Sequence, residues 1–213
     1  IVMCQAYANK WGVDDPEFDV IETEVEWSLP MGATLDGVPA PFWMAGVVDG
    51  LVKDKETGET WIIEHKTASK VDGSYLERLW SDLQVRIYGH IAGDTVDLVI
   101  KNDKGALQRP TGVVYNVLLK PTLRRLKAGK RRLVDEDDQQ FIARLLDWYE
   151  VEDRFIREYL PLNSLERDQT RTEVKEAFEL LQFARKRGYW VESRSRCYEL
   201  TFTCPFLSIC RSG

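Results

Sequence analysis

The sequence has few cysteines and histidines, and it has no long apolar run. Its 213 residues include 4 Cys and 2 His, and Cys197, Cys204 and Cys210 lie close together near the C-terminus, unlike a spread disulfide framework. No apolar run approaches the roughly 20 residues that span a bilayer. The start has no basic segment followed by an apolar core, so it does not read as a signal peptide. These absences predict a cytoplasmic protein without a membrane partner. The chain begins without Met and as if inside a helix, which predicts that upstream sequence is missing.

The length and composition favour one globular domain over residues 1–213. Apolar residues make up 44% and charged residues 30%, as in ordinary folded proteins. Alternating and helical apolar spacing predicts strands at 18–30, 43–54, 60–68, 96–100 and 112–119, and helices at 74–91, 137–159 and 172–187. We therefore expect an α/β or α+β core over about 18–120 with a mixed central sheet, followed by C-terminal helices and a Cys-rich tail over about 135–213.

Charge is unevenly distributed along the chain. The net charge is -6, which argues against a passive coat for nucleic acid. The segment 120–133 nevertheless carries only basic charges, and four acidic residues follow it at 135–138. This basic segment is either a solvated loop or a strip that binds phosphate. Its candidate DNA-binding residues are Lys120, Arg124, Arg125, Lys127, Lys130, Arg131 and Arg132.

The stretch WIIEHKTASK, residues 61–70, places charged residues directly after an apolar strand. Successive side chains of a strand point to opposite faces, so Glu64 and Lys66 share one face and His65 takes the other. One interpretation is an edge salt bridge, which contributes little to stability. The other is a metal-binding carboxylate beside a catalytic cation.

A second carboxylate favours the metal site. If residues 55–59 form a hairpin turn, Asp49 and Glu64 lie on adjacent antiparallel strands. Two converging carboxylates are costly unless a cation neutralises them, and oxygen ligands favour Mg²⁺ or Mn²⁺. The backbone carbonyl of His65 is a candidate third ligand. Lys66 would then stabilise charge on a phosphate or orient a water molecule.

The pattern Asp-x14-Glu-x-Lys resembles the active site of the PD-(D/E)XK nuclease superfamily. Gln84 and Tyr88, four residues apart on one face of the next predicted helix, resemble the Q-x3-Y signature of its RecB-like exonuclease branch. The resemblance implies a restriction-endonuclease-like fold. It also implies a catalytic set of Asp49, Glu64, Lys66, Gln84 and Tyr88.

The cysteine-rich tail resembles the C-terminal cluster of RecB-like nucleases that bind a [4Fe–4S] cluster. Such a cluster needs four thiolates, and Cys4 or a missing upstream cysteine would supply the fourth. Buried thiols or a zinc site are the alternatives for Cys197, Cys204 and Cys210.

The chain departs from the RecB-like pattern in one respect. These enzymes carry an upstream helix with a metal-binding His, and neither His65 nor His90 matches that position. Glu24 is the best substitute in the sequence, although a solvated strand face also explains Glu22, Glu24 and Glu26.

The resemblance implies a Mg²⁺-dependent deoxyribonuclease acting in DNA repair, recombination, phage or CRISPR-related processing, with DNA and proteins of those processes as partners. Two alternatives stay open from the sequence. One is a non-catalytic nucleic-acid-binding module that retains the fold. The other is a phosphohydrolase acting on small nucleotides, although no glycine-rich phosphate loop is present.

Overall fold

A computed structural model describes most of the chain, and it divides the chain into two compact units. The described residues are 1–12, 14–32, 34–35, 38–39, 42–90, 95, 98–101, 105–128, 134–151 and 153–189. The first unit contains residues 1–31 and 42–173, and the second contains residues 32–41 and 174–213. Among the described residues, no helix combines the length and the apolar character needed to cross a bilayer.

The described part of the chain contains both helices and strands, with a run of strands directly after the first helix. The described helices are α1 (Val2–Trp11), α2 (Gly73–Leu79), α3 (Leu83–His90), α4 (Asp138–Glu150) and α5 (Ser164–Arg187). The described strands are β1 (Phe18–Met31), β2 (Thr34–Leu35), β3 (Val38–Pro39), β4 (Phe42–Asp54), β5 (Thr60–Ala68), β6 (Ile100–Lys101), β7 (Leu107–Gln108), β8 (Gly112–Leu119) and β9 (Phe155–Pro161).

The first unit is built on a five-stranded mixed sheet with the strand order β1-β4-β5-β8-β9. β5 and β8 pair in parallel, and the other neighbours pair antiparallel. The parallel pair needs a long connection, and this connection contains α2 and α3. The predicted α/β class with a mixed central sheet is confirmed.

Apolar side chains cover the two faces of this sheet differently. One face packs against α1 and α4, where Ala6, Leu118, Tyr149 and Phe155 form a buried cluster. The opposite face packs against α3, and an added Cβ at Gly89 would meet a methyl group of Val113 at 3.4 Å. The sheet therefore forms the middle layer, and its two faces provide separate environments for side chains that alternate along β5.

Some predicted elements differ from the observed ones. The helix predicted over 74–91 is two helices, because the chain turns after Leu79 and Asp82 accepts hydrogen bonds from the first N–H groups of α3. The helix predicted over 137–159 ends at Glu150, and Phe155–Pro161 is strand β9. Pairing with β8 supplies this segment with backbone hydrogen bonds along its length. α5 begins at Ser164, earlier than predicted.

The strand predicted over 96–100 is also different. Only Ile100–Lys101 forms a described strand, which pairs with β7, and Leu98 is buried in a short helical turn. Residues 96 and 97 lie outside the described residues.

The second unit contains β2, β3 and the part of α5 after Glu173. β2 and β3 form a short antiparallel pair. The last turn of α5 carries Arg185, Lys186 and Arg187, whose positive charge is favourable at a helix C-terminus. The residues from 190 onward lie outside the described ones.

A buried arginine ties α1 and the following segment to the edge of the sheet. Arg157 of β9 has a side chain that is 4% exposed, and it pairs with Asp15 and with Glu17. It also donates to the hydroxyl of Tyr7 at 3.1 Å and lies 3.7 Å from the ring centroid of Trp11. Burial acts to raise the pKa of Asp15, but the hydrogen bonds from Arg157 and from the N–H of Glu17 outweigh it and hold the pKa below 3.8.

This pair predicts a pH-dependent contribution to stability. A carboxyl whose pKa is lowered by folding stabilises the protein above its unfolded pKa, and the effect is lost as the pH falls through the folded pKa. Asp15→Asn should therefore lower the free energy of unfolding by roughly 2 kcal/mol at pH 7, and the difference from wild type should shrink below 3.8, the ordinary pKa of Asp. Urea denaturation at pH 7 and pH 3 measures this.

Asp19→Asn is the control, because Asp19 is 65% exposed in its pair with Lys55. It should change stability little at either pH. A loss of stability in Asp15→Asn that is the same at both pH values would contradict the assigned ion pair.

Candidate active site

The candidate site lies where β4 separates from β5. The two strands pair from Lys53 with Thr60 to Gly50 with Ile63, and the pairing then stops. Asp49 and Glu64 are the next residues in this register, so they face each other just beyond the last pair. An added Cβ at Gly50 would meet Ile63 at 2.9 Å, so glycine permits the close approach of the strands at this point.

Asp49 bridges the two strands after the ladder ends. Its Oδ2 accepts a hydrogen bond of 2.7 Å from the backbone N–H of His65. The carboxylate thus takes the place of a main-chain acceptor and stays next to Glu64. The expectation that Asp49 lies on the strand adjacent to Glu64 agrees with this arrangement.

Glu64 is almost completely buried, and its two oxygens have different surroundings. It is 2% exposed. Oε1 accepts from the ammonium of Lys66 and, at 2.8 Å, from the amide of Gln84. Oε2 is buried, and among the described residues it has no hydrogen-bond partner.

Helix α3 joins both strands through the two residues of the Q-x3-Y pattern. The amide Nε2 of Gln84 donates to Glu64 on β5 and to the hydroxyl of Tyr88 at 3.1 Å. Tyr88 in turn donates to the carbonyl of Val47 on β4 at 2.8 Å. Gln84 and Tyr88 therefore connect the two strands on either side of the point where they diverge.

The alternation along β5 places Glu64 and Lys66 together and His65 elsewhere. Glu64 and Lys66 form an ion pair. His65 instead contacts Asn116 and the ring of Tyr7, a residue of α1, which packs against the other face. The predicted division of these three side chains between the two faces agrees with these contacts.

The charges at the site influence one another. Burial raises the pKa of Glu64, Lys66 acts in the opposite direction, and the charge of Asp49 raises it again. Burial acts to lower the pKa of Lys66, but its hydrogen bond and ion pair with Glu64 outweigh this and raise the pKa. Lys66 is therefore a cation at neutral pH, while Glu64 gives up its proton less readily than an exposed carboxyl.

A family model described as the PD-(D/E)XK nuclease superfamily matches residues 2–211. The chain belongs to this superfamily. Searches of curated proteins and of solved structures found no significant match. The superfamily recognised from Asp49, Glu64 and Lys66 is confirmed, whereas the RecB-like branch is inferred from Gln84 and Tyr88 and stays a prediction.

The residues of the site fit the divalent ion that PD-(D/E)XK nucleases generally use, Mg²⁺ or Mn²⁺. The decisive observation is Oε2 of Glu64, a buried carboxylate oxygen to which no residue in the described ranges donates. Such an atom is costly to bury, and a cation would satisfy it. Asp49 adds a second carboxylate, and oxygen ligands suit these hard ions. Asp49, Glu64 and the carbonyl of His65 are the candidate ligands.

The other candidates for a metal ligand do not join this pair. In the described part of the chain, no three His, Cys, Asp or Glu side chains are close enough to hold a metal ion. Glu24 has a φ of 51, and the register of β1 shifts between Val20 and Glu22. These irregularities interrupt the simple alternation that grouped Glu22, Glu24 and Glu26 on one face. The side chain of His90 lies outside the described residues.

The sequence patterns did not predict two residues that lie near Glu64. Tyr115 of β8 lies directly opposite Glu64 in the parallel register and is 4% exposed. Burial and the nearby Tyr75 raise the pKa of Tyr115, so its hydroxyl stays protonated. Asp82 acts on the pKa of Glu64 and caps α3 at the residue before Leu83. The Ser-Asp pair at 81–82 is a recognisable cap signal, whereas the position of Tyr115 follows from long-range pairing.

The basic segment is partly neutralised by the acidic residues that follow it. Arg125 pairs with Asp138 at 2.5 Å, and Lys127 pairs with Asp135 at 3.0 Å. Within the described ranges, no carboxylate lies at ion-pair distance from Lys120 or Arg124, and both are exposed. Lys130, Arg131 and Arg132 lie outside the described residues.

The predicted cysteine cluster, Cys197, Cys204 and Cys210, also lies outside the described residues. Cys4 is exposed on α1 and is not in a disulfide.

Metal binding to this site should stabilise the folded protein. A ligand that binds only the folded state at 100 times its dissociation constant adds about 2.7 kcal/mol to the free energy of unfolding. Titrating Mg²⁺ or Mn²⁺ should raise the Tm of the wild type, and Asp49→Asn or Glu64→Gln should abolish the rise. Because the pKa of Glu64 is raised above 4.5, the affinity should increase with pH above that value as the carboxyl loses its proton.

Glu26→Gln is the matched control, since Glu26 is an exposed acid on β1. Its response to metal should equal that of the wild type. Equal stabilisation of Asp49→Asn and wild type would exclude Asp49 as a ligand.

Proposed function

We propose that the protein is a metal-dependent nuclease that hydrolyses phosphodiester bonds of DNA. The observation that carries the proposal is the position of Asp49 beside the buried Glu64 and the cation of Lys66. Oε2 of Glu64 has no hydrogen-bond partner in the part of the chain that the structure describes. Membership of a nuclease superfamily supports a nucleic-acid substrate. DNA as the substrate and the RecB-like branch are our interpretation of the Q-x3-Y pattern.

Each residue of the site has a separate role in the proposed reaction. Asp49 and Glu64 would hold a divalent ion, which when bound would supply positive charge for the scissile phosphate and for the attacking water. Gln84 fixes Oε1 of Glu64, so Oε2 would be the atom left for coordination. Lys66, charged at neutral pH, stabilises negative charge that develops on the phosphate. Tyr88 keeps α3 on β4 through the carbonyl of Val47.

The iron–sulfur centre and the biological process are proposals from the sequence. Cys197, Cys204 and Cys210 would supply three thiolates, and Cys4 or an upstream cysteine the fourth. Their resemblance to RecB-like nucleases supports a role in DNA repair, recombination, phage or CRISPR-related processing, with proteins of those processes as partners.

The proposed chemistry predicts strong effects at Glu64 and Lys66. Glu64→Gln removes a ligand charge, and Lys66→Ala removes the cation at the phosphate. Each should lower kcat for Mg²⁺-dependent cleavage of DNA by at least about 100-fold while the far-ultraviolet circular dichroism stays that of the wild type. Gel assays with end-labelled single-stranded and double-stranded DNA measure the cleavage.

Lys70→Ala is the control for a lost cation near the end of β5, because Lys70 is 79% exposed and pairs only with Asp72 among the described residues. It should cleave as the wild type does. A wild type that binds DNA but cleaves none under any divalent ion would favour the non-catalytic binding module.

The basic segment should contribute affinity for DNA through Lys120 and Arg124, the cations that form no ion pair within the described ranges. Each phosphate contact adds about 0.7 to 0.9 to the slope of log affinity against log salt. Lys120→Gln with Arg124→Gln should therefore make the slope shallower by up to about 1.4 to 1.8. Fluorescence anisotropy titrations in Ca²⁺, repeated at salt concentrations from low to moderate, measure this slope.

The paired cations provide the comparison. Arg125→Gln with Lys127→Gln should change the slope less, since Asp138 and Asp135 already neutralise these side chains. Equal changes in the two double variants would mean that DNA displaces the acidic residues. No change in either would identify the segment as a solvated loop.

A further inference from the structure

A polar network lies behind the candidate site, on the face of the sheet that packs against α1. Asn116 of β8 is fully buried. Its Nδ2 lies 2.8 Å from Nδ1 of His65 and donates to the hydroxyl of Tyr7 at 2.7 Å. Tyr7 also accepts a hydrogen bond from Arg157 at 3.1 Å. The ring of His65 is therefore fixed by Asn116 on the face of the sheet opposite to Glu64 and Lys66.

The main chain of His65 is part of the candidate site. Its peptide connects Glu64 to Lys66, and its N–H donates to Asp49. β4 no longer pairs with β5 beyond Ile63, so this segment has a paired strand on one edge only, β8. Because side chains alternate along a strand, the ring position of His65 constrains the orientation of both neighbours.

Asn116 is costly for a residue in the middle of a sheet. Its Oδ1 is buried and has no partner among the residues that the structure describes, and an unpaired buried polar atom destabilises the folded state. The neighbours of Asn116 along β8, Tyr115 and Val117, are buried as well. An apolar residue would suit the burial better, so the polar side chain is explained by its hydrogen bonds to His65 and to Tyr7, and only the first of these reaches β5.

We infer that Asn116 is a positioning residue of the candidate metal site. Its amide holds the ring of His65 and thereby fixes the peptide that carries Glu64 and Lys66 and that binds Asp49. This inference rests on the proposed function for its catalytic consequence, but the positioning itself is a property of the metal-free protein. Partners of this kind behind a metal site commonly change affinity or activity by 10- to 100-fold.

The first test replaces Asn116 by a side chain of the same branched shape that cannot donate. In the full-length Asn116→Leu variant we expect kcat to fall by about 10- to 100-fold, with KM for DNA within about twofold of wild type. Mn²⁺ affinity, measured by calorimetry without DNA, should fall over the same range. Hydrogen exchange of the His65 amide in metal-free protein should become faster, while that of Ile62 on the same strand stays unchanged.

A second comparison separates positioning from a general loss of stability. In His65→Asn, the amide oxygen takes the place of Nδ1 and can accept from Asn116, whereas in His65→Gln the amide corresponds to the other ring nitrogen. His65→Asn should therefore retain more Mn²⁺ affinity and more kcat than His65→Gln. Tyr159→Phe is the control, because it removes one hydrogen bond to Glu17 on the same face without touching His65.

The outcomes distinguish this inference from the proposed function. If wild type neither binds Mn²⁺ nor cleaves DNA, the proposed function fails, and the exchange of the His65 amide still decides whether Asn116 positions the peptide. Unchanged exchange in Asn116→Leu, or equal behaviour of His65→Asn and His65→Gln, would overturn the inference. An effect of Tyr159→Phe as large as that of Asn116→Leu would do the same.

Discussion

The divergence of β4 from β5 beyond Gly50 and Ile63 is the constraint on which the site depends. While two strands pair, their main-chain groups satisfy one another. Where they separate, the freed N–H of His65 needs an acceptor, and Asp49 supplies it. The same separation opens space beside β5 in which α3 approaches both strands. A candidate metal-binding carboxylate thus satisfies a structural requirement of the backbone.

Burial of Glu64 destabilises the folded protein and leaves one carboxylate oxygen available to a cation. A carboxylate that is 2% exposed is stabilised by Lys66 and Gln84 through Oε1, and no described residue donates to Oε2. Removing such an atom from water costs free energy, and the raised pKa of Glu64 reflects that cost. The fold maintains this arrangement because the hydrophobic residues around it, including Leu51 and Ile62, are fully buried and outweigh it. The unsatisfied atom is then available to a cation.

Local patterns were sufficient to predict part of this arrangement. The alternation of Glu64, His65 and Lys66 and the spacing of Gln84 and Tyr88 each follow from the geometry of one element, and the observed contacts agree with them. The positions of Asn116 and Tyr7 could not be predicted in this way. Both depend on the parallel pairing of β5 with β8 and on the packing of α1, which join residues far apart in sequence. For the same reason, the apolar spacing predicts helix for the first part of strand β9, whose hydrogen bonds come from the distant strand β8.

The electrostatics of the proposed DNA binding likewise depend on how the charges are arranged in the folded chain, and not only on their order in the sequence. Counted along the chain, the segment from 120 onward is a continuous basic run. In space, the acidic residues that follow it fold back, and the N–H of Leu126 donates to the buried carboxylate of Glu136. Two of the described cations are paired as a result, while Lys120 and Arg124 lie exposed. A protein of net charge -6 binds a polyanion only where cations stay unpaired, because counterion release requires charge that the protein itself has not neutralised. In the proposed nuclease, the affinity for DNA therefore depends on how this segment folds and not on the number of its basic residues.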